Sequence, residues 1–377
     1  MDAEREKGMG MEELVDEVWR VFYDKLKKKE VPMVRSKFGD EVNLFVPQMR
    51  LLFPMCANPS FPKSIYTSSF LGAKRNAYPI MRKLDMPPDF CWKFEFWTNE
   101  RAFEVLSKVI NGIFRTIMRT NKEGLLSVEN ASTDPEEIKI LLTLDECVEC
   151  LGIEANHPIC FYHAGTLTGI ISALLGKELE GYETECCATG GEKCEFFIGN
   201  KVGKEKLEEY LNPGKIEFSL DKRFEMALDE KILRRSFGNE TDLRYFQLVI
   251  LNSLIPNPKM FSESSYEIGV EYGKKLVPIL EKHYNKKGEE LFDGISQYFG
   301  FLKHLQIELK KGAVEIRAAE VAEISGLAKN EDLLRFLFGE LAGILSVVTE
   351  EKVVYTNNTF EDDTLIIEFE KHSKKEF

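Results

Sequence analysis

The chain reads twice. The segment RSKFGDEVNLFVPQMRLLFPMCANP, beginning at Arg35, aligns without a gap on RRSFGNETDLRYFQLVILNSLIPNP, beginning at Arg234. At this offset of 199 residues Arg35, Phe38, Gly39, Glu41, Leu44, Gln48, Leu52, Asn58 and Pro59 all recur, and the same offset carries on to PIMRK at Pro79 and PILEK at Pro278. Further along, ECVECLGI from Glu146 matches EVAEISGL from Glu320 at an offset of 174, which also aligns Gly165 with Gly339 and Gly169 with Gly343. The first copy therefore carries 25 extra residues between Lys83 and Glu146. Two long ungapped blocks in the same order predict a tandem duplication of one fold. A length of 377 residues accommodates two domains of ordinary size. The turn-forming tripeptide Asn212-Pro213-Gly214 places the boundary, giving domains over 1–213 and 214–377.

Each copy reads as α+β. In the first, helical patterns cover Ile65–Lys83 and Glu100–Thr120, and strand-like segments cover Gly124–Glu129 and Ile138–Leu144. A small-residue-rich helix is expected over Pro158–Leu175, with Pro158 in its first turn. Two strands close the unit, Glu180–Cys187 and Lys193–Ile198, joined through a Gly190-Gly191 hairpin loop. The second copy ends in the same way, with a helix over Leu333–Val347 and strands over Lys352–Asn357 and Leu365–Phe369.

Hydrophobic residues make up 44% and charged residues 30%, which fits globular cores. No apolar run approaches the roughly 18 residues of a membrane span, and the charged start MDAEREKGMG has no apolar stretch of a secretory signal. The expected location is the cytoplasm. A net charge of −13 opposes direct binding of nucleic-acid phosphates. Six of the eight cysteines, Cys147, Cys150, Cys160, Cys186, Cys187 and Cys194, fall within one short stretch. In a reducing compartment such clustering reads as metal or redox chemistry.

From Cys160 the sequence runs CFYHAGTLTGIISALLGKELEGYETECCATGGEKC to Cys194. This closely resembles the 4-vinyl reductase (hydrocarbon-binding) domain family. Its pattern is a cysteine opening a helix, a glutamate 23 residues on, a cysteine three beyond and a last cysteine eight later, and Cys160, Glu183, Cys186 and Cys194 meet it. The resemblance implies one zinc ion held by these four residues. It also implies two such domains in tandem, each with helices packed on a small antiparallel sheet and the two forming a pseudo-dimer within the chain. Three thiolates and a carboxylate make a closed tetrahedral shell, so the zinc is expected to be structural. The second copy carries Leu334, Asn357 and Phe360 at the positions of Cys160, Glu183 and Cys186, Leu365 near that of Cys194, and Val321 and Ile324 at those of Cys147 and Cys150. That copy is expected to fold by apolar packing without metal.

The family's phenol sensors hold the ligand hydroxyl with a histidine and a tryptophan upstream of the first zinc cysteine. Arg101–Leu144 contains neither residue type, which points away from phenol. His157 and His163 beside the metal helix read as structural. Phe90, Trp92, Phe94 and Trp97, with the Gly165 and Gly169 face of the helix, are the candidate lining of an apolar cavity; the same glycines also read as tight helix packing, and the aromatic strand as a cover for the core. The expected function is a non-enzymatic zinc-containing binding or sensory protein for a small hydrophobic molecule. It would signal through a protein partner, with assembly as a homodimer a further option. Three other readings stay open. One is a redox sensor using Cys147 and Cys150, although their acidic neighbours and apolar counterparts favour buried, unreactive thiols. Another is a reductase-like enzyme of tetrapyrrole metabolism, for which no nucleotide loop, Ser/His/Asp grouping or paired carboxylates are found. The third is an adaptor or scaffold.

Overall fold

The structure is a computed structural model that describes residues 10–27, 31–83, 104, 106–134, 137–229, 231–254, 258–302, 304–309, 315–362 and 364–372. The aromatic segment with Phe90, Trp92, Phe94 and Trp97 lies outside the described residues. Two compact units are formed. The cysteine unit comprises Met11–Val31 and Pro47–Pro256, and the C-terminal unit comprises Met1–Gly10, Pro32–Val46 and Asn257–Phe377. The division does not follow a single cut: the stretch Pro32–Val46, which contains Arg35, groups with Asn257–Phe377, whereas the stretch around Arg234 groups with the cysteines.

In chain order the strands are β1 (Glu41–Asn43), β2 (Leu125–Asp134), β3 (Glu137–Asp145), β4 (Glu180–Glu185), β5 (Cys194–Gly199), β6 (Glu240–Asp242), β7 (Gln306–Leu309), β8 (Glu315–Ala319), β9 (Lys352–Glu361) and β10 (Thr364–His372). The cysteine unit contains a four-stranded antiparallel sheet of order β2-β3-β5-β4, and the C-terminal unit one of order β7-β8-β10-β9. The molecule is therefore α+β. Alternation decides which side chains enter the core. On β3, Ile138, Ile140, Leu142 and Leu144 are buried, and on β5 the buried set is Cys194, Phe196 and Ile198. Cys194 faces inward because it shares parity with Phe196 and Ile198.

The helix Phe161–Leu175 is buried at every position except Ala173, as a helix apolar on all sides must be. It lies against the helix Phe61–Lys83. A Cβ on Gly165 would sit 2.3 Å from the Tyr66 carbonyl oxygen, and one on Gly169 would sit 2.3 Å from that of Phe70. These two glycines thus admit the neighbouring backbone, and that face has no room left for a ligand. The reading of Gly165 and Gly169 as cavity lining gives way to helix packing. In the C-terminal unit Gly339 and Gly343 meet the carbonyls of Tyr266 and Val270 in the same manner. Tyr66 Oη accepts the Gly181 N–H at 3.3 Å, and Tyr266 Oη accepts the Tyr355 N–H at 3.1 Å. These contacts match Tyr66 with Tyr266 and Phe70 with Val270, a spacing of 200 rather than 199, so the sequence offset slips by one residue in this helix.

Several element ends differ from expectation. The glycine helix begins at Phe161 with Cys160 as its N-cap, three residues beyond Pro158. Strand β4 ends at Glu185, and Cys187–Thr189 form a 3-10 turn. The segment expected as one helix to Thr120 is interrupted by a π-turn over Ile110–Phe114 before Arg115–Thr120 resumes the α form. Among the described residues no helix is long and apolar enough to cross a membrane.

Candidate metal centre

Strand β3 delivers the first pair of cysteines. It ends at Asp145; Glu146 then takes a positive φ of 55°, and the chain curls into a helical turn in which the Leu151 N–H reaches the Cys147 carbonyl at 3.1 Å. That curl brings Cys147 and Cys150, three apart, to one side. Cys160 caps the glycine helix, Glu183 points inward from β4, and Cys186 follows that strand. Cys194 opens β5 opposite Leu144 on β3. The connecting turn closes because Gly190 adopts a φ of 96° and the Gly191 N–H reaches the Cys186 carbonyl at 3.0 Å.

These residues converge. Cys147, Cys150, Cys160, Cys186 and Cys194 are all 0% exposed and Glu183 is 3% exposed. Cys160 Sγ lies 3.6 Å from Cys147, 3.8 Å from Cys186 and 3.7 Å from Cys194, while Cys150 lies 3.2 Å from Cys194. Two sets of four donors result, Cys147/Cys150/Cys160/Cys194 and Cys160/Glu183/Cys186/Cys194, each with its ligand atoms within 4.8 Å of one another. The second is the set expected from sequence. The first joins it through Cys147 and Cys150, which the sequence reading places apart from the metal ligands. Their C-x-x-C spacing was the signal that could have found them. Cys187, expected on the opposite strand face, leaves the strand geometry in the 3-10 turn and comes within 4.0 Å of Cys194.

The set fits a tetrahedral cation. With Zn–S bonds of about 2.3 Å, neighbouring sulfurs of a tetrahedron stand about 3.8 Å apart. The three distances from Cys160 fall beside that value. One Glu183 oxygen accepts the Cys160 N–H at 3.0 Å, whereas the other, Oε1, is buried with no hydrogen-bond partner. Burial pushes this carboxyl well above the usual range, and Cys186 beside it adds to the effect. Burial likewise pushes the Cys160 and Cys150 thiols up. A cation reverses both tendencies by giving the charged forms a partner. Cys187, partly exposed, is drawn down to about 5 by hydrogen bonds from Cys150 and Cys194.

A buried ion network adjoins the sulfurs. His163 Nδ1 lies 2.5 Å from Glu149 Oε1 and 3.7 Å from Cys147 Sγ, and Nε2 lies 3.4 Å from Glu123. Burial disfavours the imidazolium, but Glu149 and Cys147 outweigh it and raise the His163 pKa well above its ordinary value. Burial lifts Glu149 to about 7 against the pull of His163. The C-terminal unit has a comparable pair, His304 and Glu323 at 3.1 Å. His163 is structural in the sense expected, but its two carboxylate partners carry no signal in the sequence reading.

In the C-terminal unit Val321, Ile324, Phe360 and Leu365, together with Met33 and Lys37, line a cavity of about 470 Å³. The first four are the residues that sequence comparison sets against Cys147, Cys150, Cys186 and Cys194. Leu365 pairs with Ala318 on β8 as Cys194 pairs with Leu144 on β3.

Comparison with known proteins gives matches over part of the chain. Three uncharacterized proteins of Methanocaldococcus jannaschii are similar: MJ0150 is 30% identical over 86 residues, MJ1642 is 32% identical over 96 residues, and MJ0745 is 24% identical over 110 residues. These stretches amount to 22%, 25% and 29% of this chain and 47%, 57% and 53% of the relatives, so the chain spans about half the length of the curated relatives it matches. Among solved structures, the phenol-responsive sensory domain of the transcription activator PoxR with phenol is similar at 12% identity and a TM-score of 0.33, covering 51% of this chain and 96% of that one. A trafficking protein particle complex subunit 3 from Naegleria fowleri, covalently bound to palmitic acid, is similar at 14% identity and a TM-score of 0.28, covering 50% of this chain and 93% of that one. The 4-vinyl reductase domain model matches residues 140–200, the stretch that supplies every cysteine and the glutamate of both donor sets.

Proposed function

We propose that the protein is a non-enzymatic, zinc-containing binding or sensory protein for a small hydrophobic molecule, built by tandem duplication of a 4-vinyl-reductase-type fold, with the second copy lacking the metal ligands. The observation that carries this reading is the coincidence of the family match over 140–200 with a buried donor set of three thiols and a carboxyl. Cys160, Glu183, Cys186 and Cys194 would hold the zinc. Four protein ligands leave no open position, so its role is to tie the start of the glycine helix to the β4–β5 turn and to supply folding free energy. The repeated sheet order, the paired glycine contacts and the positive φ shared by Glu146 and Glu320, 55° and 56°, support the duplication. On this reading the copies pair within one chain in a cytoplasmic protein, with homodimer formation a further option, and an unidentified protein partner receives the signal.

The ligand reading has its own support in the C-terminal unit. Its cavity of about 470 Å³ has a partly apolar lining and a size typical of small-molecule sites. Elemental analysis and native mass spectrometry of the full chain, purified without added metal, test both halves. The expected result is zinc together with a retained small molecule. Absence of zinc overturns the metal reading. Absence of any retained molecule, with no binding of an apolar fluorophore such as anilinonaphthalene sulfonate, overturns the ligand reading.

A further inference from the structure

The six donors do not collapse into one set. They form two sets of four that overlap at two sulfurs, Cys160 and Cys194, 3.7 Å apart. Cys147 approaches Cys160 at 3.6 Å and Cys150 approaches Cys194 at 3.2 Å, so each cysteine of the C-x-x-C touches one of the shared sulfurs. Cys186 touches Cys160 at 3.8 Å, and Glu183 turns a buried, unpartnered oxygen toward the same group. Two tetrahedra that share an edge have this connectivity: two bridging thiolates in common and two terminal donors each. The common edge of such a pair spans about 3.8 Å when the metal–sulfur bonds are those of zinc, against 3.7 Å between Cys160 and Cys194.

We propose that the site holds two zinc ions as a thiolate-bridged pair. One ion is held by Cys147, Cys150, Cys160 and Cys194, the other by Cys160, Glu183, Cys186 and Cys194. The inference rests on the metal reading above and enlarges it from one ion to two. Charge permits it. Five thiolates and one carboxylate carry six negative charges and two divalent ions carry four positive ones. The remainder of two negative charges equals that of one ion in three thiolates and a carboxylate. An iron–sulfur cluster is a poorer occupant, because its inorganic core would hold the ligand sulfurs apart, whereas here they are in mutual contact. Redox exchange between Cys147 and Cys150 is disfavoured as well, since both sulfurs are 0% exposed and each abuts another cysteine. The C-terminal unit agrees: Val321 and Ile324 stand at the Cys147 and Cys150 positions, so the terminal ligands of both ions are absent there together.

Zinc stoichiometry of the full chain and cadmium-113 NMR of the cadmium-exchanged chain test the pair. The expected result is two zinc ions per chain and two cadmium resonances that show scalar coupling through shared sulfur. A Cys147→Ser/Cys150→Ser double variant should fall from two ions to one. One ion and one resonance in the unaltered protein overturn the bridged pair and leave the metal reading standing. Two uncoupled resonances overturn the bridge. No zinc at all overturns this inference and the metal reading together. Should the double variant fail to fold, stoichiometry and coupling in the unaltered chain still decide.

Discussion

Where β5 begins in the cysteine unit, Cys194 stands opposite Leu144. Where β10 begins in the C-terminal unit, Leu365 stands opposite Ala318. The sheet order, the glycine–carbonyl contacts of the central helix and the left-handed glutamate before the turn recur in both units. Yet in one unit the space under that turn is filled by sulfur and a carboxylate with almost no exposure, and in the other a cavity of about 470 Å³ opens beside valine, isoleucine, phenylalanine and leucine. The comparison teaches that this backbone does not need a metal to close. The difference lies in a handful of side chains. A thiol-lined pocket is costly to bury without a cation, because its charged forms have no partner, while an apolar-lined one can stay partly open at little cost.

Metal removal should separate the units most. Chelation, or Cys194→Ser, is expected to abolish amide protection around the glycine helix Phe161–Leu175 while leaving protection of Arg335–Val348 largely intact. Structural zinc is worth on the order of 10 kcal/mol. Hydrogen exchange on the full chain reads both helices at once. Equal loss in the two would break the comparison by showing that the metal supports more than its own unit.

Filling the helix contacts should, by contrast, affect both units alike. Gly165→Ala sets a methyl group 2.3 Å from the Tyr66 carbonyl, and Gly339→Ala sets one 2.0 Å from that of Tyr266. Each is expected to cost about 1–3 kcal/mol through overpacking. Denaturant-dependent hydrogen exchange checks this. A penalty in one unit only would mean that the two glycine helices are not equivalent.

The smallest effect concerns the paired turns. In the C-terminal unit Arg35 donates to the Gly39, Glu41 and His304 carbonyls, and the Glu320 carboxylate accepts from Ser36 Oγ and the N–H groups of Lys37 and Phe38. In the cysteine unit Arg234 donates to the Gly238, Lys122 and Glu240 carbonyls, and Glu146 accepts from Ser236. Burial works against the Glu320 carboxylate, but the hydrogen bonds of that turn outweigh it and hold its pKa below 4.5. The sign follows from the depressed folded pKa: this stabilisation is present above about pH 4.5 and disappears as pH falls through the lower folded value. Because Glu320 is partly exposed, it should amount to less than about 1 kcal/mol. Acid titration of hydrogen exchange in the turn should show the loss, and Glu320→Gln should flatten it. A variant that keeps the full pH dependence would assign it to another carboxyl.

Much of this was written in the sequence. Local spacing along the chain marked Cys160, Glu183, Cys186 and Cys194 as a donor set, because a helix start and a hairpin bring those intervals together wherever the strands pair. Period-two and small-residue patterns likewise marked the strands and the glycine helix, with ends off by a few residues where Cys160 replaced Pro158 as the cap and the β4–β5 turn tightened into a 3-10 form. The aromatic segment from Phe90 to Trp97 lies outside the described residues.

Tertiary structure alone decided the rest. The positive φ at Glu146 curls the chain back under the sheet, and only that curl sets Cys147 and Cys150 against Cys160 and Cys194 rather than apart from them. Whether Gly165 and Gly169 faced a ligand or another helix was likewise open until the carbonyls of Tyr66 and Phe70 were seen to fill the space. Nor could the sequence foretell that Pro32–Val46 would group with Asn257–Phe377. A repeat specifies which surfaces are complementary, but two copies of a segment present the same complementary surface. Which copy docks on which body depends on chain reach and packing, and neither is a local property of residues.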